Sequence, residues 1–317
     1  MYAENEMSSA RFTRFAWLFL AYLIAVILFG AWVRISGSGA GCGNHWPSCQ
    51  GVILPQQPET KTIIEFTHRL TSGMCGILGI LLIAWARRIN RSVLRASIAT
   101  MFFILVEGLV GAVLVKKELV AGDASVARAI VIAFHLTNTL MLTASAACAA
   151  WWSMEEGQRP RVSFSRGMLV AALACLVLTN MTGAVTALGD TLFPATPALD
   201  SNLFGKVRDD ITAGEHFLVR LRVIHPVVAM LSAMVLAALF VWTDGPGRIP
   251  RYGLFALGLQ VLLGLLNIAL LAPGWMQILH LLVAQVLWVL AWITAVECWP
   301  RPQSFRIEGL TAAGSRA

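Results

Sequence analysis

The chain has 317 residues, of which 57% are hydrophobic and only 13% charged, and its mean hydropathy is +0.72. A soluble globular protein carries about 25% charged residues, so an ordinary soluble enzyme, a disordered chain, a coiled coil and a disulfide miniprotein are all excluded. A membrane helix needs roughly 20 apolar residues, and the chain reads as an all-α integral membrane protein with most of its mass in the bilayer. The net charge of +7 and pI near 9.4 do not point to nucleic acid, because the basic residues lie in short segments between apolar runs.

Hydrophobic patterning predicts eight transmembrane helices, over about 15–35, 64–86, 96–115, 127–152, 167–188, 217–242, 252–272 and 275–298. The first follows Arg11 and Arg14 without a persuasive small-residue cleavage site, so it reads as a retained span. Fourteen Lys and Arg residues fall on one side of the membrane: Arg11, Arg14, Arg87, Arg88, Arg91, Arg95, Arg159, Arg161, Arg166, Arg248, Arg251, Arg301, Arg306 and Arg316. Nine fall on the other, several of them at span ends: Arg34, Lys61, Lys116, Lys117, Arg128, Lys206, Arg208, Arg220 and Arg222. The excess predicts cytoplasmic termini. The two longest loops, 36–63 and 189–216, then face outward and are long enough to act as lids. Asp190, Asp200, Asp209 and Asp210 in the second are expected to be solvated.

The halves repeat. Each is four spans with a long outer loop after the first, giving two pseudo-symmetric four-helix bundles, residues 1–155 and 156–317. Span 3 carries Glu107-Gly-Leu-Val-Gly111 and span 7 carries Gln260-Val-Leu-Leu-Gly264, with the same polar-to-glycine spacing. Such repeats also occur in transporters, so the repeat alone gives no function.

Four of the six histidines lie in apolar spans at corresponding places: His68 and His135 in one half, His225 and His280 in the other. A single intramembrane histidine is as readily a helix–helix hydrogen-bond partner. Two facing pairs fit better as axial ligands of haem iron in a bundle core, because zinc wants three or four ligands per site. Three residues before His68 stands Glu65; three before His225 stands Arg222. A carboxylate there could move protons, or simply sit as a boundary charge near the helix N-terminus. The guanidinium could pair with a haem propionate, or anchor the helix at the interface. This asymmetry suggests one catalytic site and one electron-carrying site.

Outside the cytosol, Cys42 and Cys49 read as a disulfide; a metal site using them with His45 would lack a fourth ligand. Whether such a disulfide is structural or redox-active is open. Cys75, Cys148, Cys175 and Cys298 read as small apolar residues, and His45 and His216 as solvated or interfacial. Trp17, Trp46, Trp275 and Trp299 near span ends fit an interfacial belt. No phosphate-binding loop or nucleophile elbow is present.

Together these residues resemble the haem A synthases of oxidase assembly. The resemblance covers about residues 12–299 and rests on Val33-Arg-Ile-Ser-Gly-Ser-Gly39 running into the Cys42/Cys49 loop, Glu65-Phe-Thr-His68-Arg69, and the positions of His135, His225 and His280. It implies eight transmembrane helices in two bundles and oxidation of a ring methyl of haem O to the formyl group of haem A. It also implies a substrate-haem site at His68 and His135, a haem b cofactor between His225 and His280, an essential carboxylate at Glu65 and a Cys42–Cys49 disulfide. Residues 189–216 lack the second cysteine pair of some relatives. The expected setting is a bacterial cytoplasmic membrane. The partners implied are haem O, lipid, the farnesyltransferase that makes haem O, and oxidase assembly factors; self-association is left open. A bis-histidine dihaem b-type electron carrier is the alternative, although it gives no reason for Glu65; a transporter of haem or another small molecule rests on the repeat alone.

Overall fold

The computed structural model describes residues 2–56, 58–154, 164–194, 216–243 and 249–299. Eight helices there are long and apolar enough to cross a membrane: α1 (Tyr2–Ile35), α2 (Thr60–Ala86), α3 (Arg91–Lys116), α4 (Val126–Trp151), α5 (Arg166–Leu192), α6 (Phe217–Trp242), α7 (Ile249–Ala269) and α8 (Gly274–Glu297). The protein is a multi-pass, all-α membrane protein. Most of loop 189–216 lies outside the described residues, with Lys206, Arg208, Asp200, Asp209 and Asp210; so do Arg159, Arg161, Arg248, Arg301, Arg306 and Arg316.

Local chemistry sets the helix ends. Asn90, Ser125 and Ser165 accept from Val93, Arg128 and Met168 backbone N–H groups at the starts of α3, α4 and α5, which satisfies donors that a first turn leaves open. The Asn90 cap explains why α3 begins at Arg91, five residues before the apolar run. Helix α7 ends at Ala269, earlier than hydropathy suggests, because Leu271 and Ala272 adopt φ of 61° and 53°. Helix α6 is not continuous: Phe217–Arg220 is α-helical, Leu221–Val223 is a 3-10 turn, and Ile224–Trp242 is α-helical again. Pro226 has no N–H to give to the preceding turn and crowds it, so the break falls beside His225.

Large apolar side chains such as Leu18, Phe102, Leu105, Ile130 and Phe255 are exposed. In a chain of this hydropathy they form the lipid-facing surface. Helix α1 packs on α2 and α4, and α3 on α2 and α4; in the second half α5 packs on α6 and α8, and α7 on α6 and α8. The halves meet through α1 and α4 against α5 and α8. Half of the most apolar window of α4 and of α8 is buried, against 17–28% in the other six, so these two helices form the interior. Trp288 donates to the Leu140 carbonyl at 2.7 Å across that seam. Arg34, at the end of α1, reaches into the other half and donates to the Ala187 carbonyl at 2.6 Å, to Gln277 Oε1 at 3.0 Å and to Thr191.

Candidate functional site

Glu65 lies in the second turn of α2, buried at 4% exposure, and does not cap the helix, whose N-cap residue is Glu59. Both carboxylate oxygens are held. Oε2 accepts from the backbone N–H of Cys42 at 2.8 Å, and Oε1 accepts from Arg69, one turn on, at 3.1 Å from Nε and also from its terminal nitrogen. Arg69 continues outward and donates to the His45 and Ser48 carbonyls at 2.7 Å each. Cys42 and Cys49 are bonded as a disulfide, both fully buried. Gly41 allows the close approach: a Cβ there would collide with the Lys61 backbone. Thr62 also donates to the Gly41 carbonyl at 2.8 Å. Loop and carboxylate are thus one hydrogen-bonded unit.

His68 stands one turn deeper, with its ring against Gly30 of α1 and edge-on to Phe29 at 5.5 Å. A Cβ at Gly30 would lie 3.1–3.2 Å from the His68 ring, and Nδ1 of His68 is buried without a hydrogen-bond partner. Across the bundle, His135 Nδ1 lies 3.4 Å from Glu107 Oε1. Glu107 is fixed by Asn138 and Thr139, which both donate to its carboxylate. Glu107 marks the repeat in the sequence, and its place beside His135 was not read there. An ionisable residue mid-span is the signal that could have found it.

The second half repeats the plan with different chemistry. The His225 and His280 ring centres are 6.4 Å apart and nearly perpendicular, at 88°. Two imidazoles sharing one metal at about 2 Å per nitrogen have ring centres about 6 Å apart. Gly183 of α5 backs onto His225 as Gly30 backs onto His68; a Cβ there would lie 2.9 Å from the ring. Thr182 Oγ1 is 3.2 Å from His225 Nδ1, the outer contact that a metal-bound histidine commonly keeps. Thr186 Oγ1, Asn267 Oδ1, Gln260 Oε1 and His280 Nδ1 are buried without hydrogen-bond partners. The histidine spacing, the glycine cradle and these orphaned atoms fit a bound haem. The Gln260 amide lies 3.1 Å from His280 Nε2, so it would have to turn aside for that nitrogen to take iron.

Arg222 is engaged within the protein. It pairs with Asp190 at 2.8 Å and donates to the Gly189 carbonyl at 3.0 Å and to the Phe193 carbonyl. Asp190, expected in solvent, is in α5 and holds this arginine. His216, expected to be solvated or interfacial, caps the first turn of α6 and stacks on Phe193. Among the described residues no group of three His, Cys, Asp or Glu side chains is placed to hold a metal ion.

Over 293 residues the chain is 43% identical to a protein of Thermus thermophilus named protoheme IX farnesyltransferase, covering 89% of this chain but 47% of that protein. It therefore spans about half the length of such curated relatives. It is 29% identical to a heme A synthase of Alkalihalophilus pseudofirmus over 70% of this chain and 72% of that one. With a heme A synthase of Shouchella clausii it shares 28% identity over 76% and 79%. A family model described as cytochrome oxidase assembly protein matches residues 13–292, through all eight spans and both histidine pairs, and the chain belongs to that family.

Proposed function

We propose that the chain is a haem A synthase, which oxidises a ring methyl of haem O to a formyl group by successive hydroxylations. The observation that carries this is a buried, doubly held carboxylate, Glu65, one turn from His68, where the other half has Arg222. A pure electron carrier needs no such difference between its two sites. The names of the relatives that match both halves support the same reaction. The name of the Thermus relative supports a substrate supplied by farnesylation of protohaem IX.

In this reading residues 1–155 are the substrate half and 156–317 the cofactor half. Haem O enters between the lipid-facing helices, its farnesyl tail lying in the hydrocarbon, and His68 and His135 hold its iron. Each hydroxylation adds the oxygen of a water molecule to the methyl carbon, releases two protons and passes two electrons to an external acceptor; the second leaves a gem-diol, which loses water to give the aldehyde. Glu65, fixed by Cys42 and Arg69, accepts protons as the carbon is oxidised. The Cys42–Cys49 loop closes over the carboxylate and keeps water from it. His225 and His280 would hold haem b, which would supply a one-electron carrier, and Arg222 would be a partner for its propionates. The membrane is the bacterial cytoplasmic membrane, with both termini inside.

The test is mass analysis of porphyrins extracted after co-expression with a farnesyltransferase that makes haem O. Haem A or its hydroxylated precursor is expected. Haem b and unchanged haem O alone would favour the dihaem carrier and overturn the proposal.

A further inference from the structure

Glu107 and Gln260 occupy corresponding places in the repeat, and each contacts the second histidine of its own half. The contacts are not equivalent. Glu107 places a carboxylate oxygen 3.4 Å from Nδ1 of His135, within ion-pair range but without hydrogen-bond geometry, whereas Gln260 brings an amide to 3.1 Å from Nε2 of His280. The carboxylate is itself held: Asn138 donates to one oxygen and Thr139 to the other. Asn138 gives its second N–H to the Phe103 carbonyl at 2.9 Å, and the single Thr139 hydroxyl hydrogen is shared with the His135 carbonyl, 2.9 Å away. Two residues of α4 thus fix a carboxylate from α3 behind one imidazole. An acidic side chain in the middle of a span is costly, and a hydrogen-bonded pair of helices alone would be served by an amide, as at Gln260.

We propose that Glu107 is a positioning residue for the substrate haem. It holds His135 by Nδ1, presents Nε2 to the iron, and makes this imidazole a stronger donor than its counterpart. A carboxylate behind a metal-bound histidine fixes the ring and raises its basicity. The substrate half is thereby distinguished from the cofactor half at the iron as well as at Glu65. This rests on the reading of His135 as a ligand of the substrate haem.

Haem O is titrated into the full-length protein in detergent, and the affinity and the low-spin electron paramagnetic resonance signal are recorded. Glu107→Gln is expected to weaken haem O binding roughly tenfold or more and to move the low-spin signal, with Glu107→Asp restoring most of both. His135→Ala is expected to abolish the signal. If His135→Ala leaves binding and signal unchanged, the ligand reading fails. If His135→Ala loses both while Glu107→Gln keeps both, the ligand reading stands and the role of Glu107 is overturned. Should Glu107→Gln not fold, as the spectrum of the other half would report, Asn138→Ala and Thr139→Val decide instead. They loosen the carboxylate and are expected to shift the signal and weaken binding severalfold; haem O binding like that of the unmodified chain in both would overturn the proposal.

Discussion

The backbone N–H of Cys42 donates to Glu65 Oε2 at 2.8 Å, so a residue of the 42–49 disulfide loop touches the proposed proton acceptor directly. The contact is buried, and Arg69 closes it from the other side by bonding both Glu65 and the loop carbonyls of His45 and Ser48. A buried carboxylate needs hydrogen-bond donors on its oxygens to offset the loss of water. The loop therefore has two roles that cannot be separated by position: it covers the site, and it sets where the Glu65 carboxylate points.

Glu65→Gln keeps the shape of the side chain and removes its capacity to take a proton. We expect formation of the hydroxylated product to fall by about 10²–10⁴-fold. Haem O binding should change little, because His68 and His135 remain. Single-turnover conversion of bound haem O, followed by porphyrin mass analysis, measures the first quantity, and a haem O titration the second. Normal conversion would remove Glu65 from the reaction.

Opening the disulfide acts on the same contact from the loop. Cys49→Ser frees the far end of the 42–49 turn while leaving the Cys42 N–H in place. The hydrogen bonds of Thr62 and Arg69 to the loop carbonyls then remain to hold that N–H against Glu65, without the covalent tie. Conversion is expected to drop on the order of tenfold or more, since small displacements of a reacting group carry costs of that size. Haem b content should be unaffected, because the loop contacts α2 and not the second histidine pair. Equal losses of haem b and of conversion would mean that the loop supports the fold rather than Glu65.

The eight spans were legible because a bilayer imposes one physical requirement on every stretch of chain, a run of about 20 apolar residues. Helix ends were less so. The cap at Asn90 and the positive φ angles at Leu271 and Ala272 depend on local hydrogen bonding and backbone geometry, which hydropathy does not register. The site divides in the same way. His68, His135, His225 and His280 stood out because an ionisable side chain in an apolar span is rare. The partners that orient them did not: Gly30 and Gly183 are ordinary residues in a membrane helix until a facing ring is placed against them. Asp190 looked solvated because a loop was expected where α5 in fact continues to Leu192.

The two glycine cradles predict a graded pair of variants. A Cβ on Gly183 would lie 2.9 Å from His225 Cε1, closer than real contacts permit, whereas a Cβ on Gly30 would lie 3.1 Å from His68 Cε1. Gly183→Ala should therefore push the His225 ring and reduce the low-spin haem b spectrum of the purified protein. Gly30→Ala should leave that spectrum intact and weaken haem O binding modestly. The reverse assignment of effects would exchange the two halves and contradict the proposed placement of cofactor and substrate.

Arg34 gives the last prediction, about how the halves are joined. It begins in α1, yet its hydrogen bonds are to Ala187, Thr191 and Gln277, all in α5 and α8. Asp190 is close enough to act on it by charge, and Asp190 in turn pairs with Arg222, three residues before His225. Arg34 thus ties the first half to the framework of the second histidine pair. Arg34→Met keeps much of the apolar stem and leaves those acceptors without their donor. Polar contacts between membrane helices contribute about 1–2 kcal/mol, so the variant should unfold at a lower temperature in detergent. Its haem b spectrum should also broaden, because the α5 end that holds Arg222 loses a support. Arg34→Lys, which keeps the charge but cannot reach three acceptors on two helices with one fork, should recover only part of the loss. If Arg34→Met matches the unmodified chain in both thermal unfolding and haem b spectrum, the contact is incidental and the seam is held by the packing of α1 and α4 against α5 and α8.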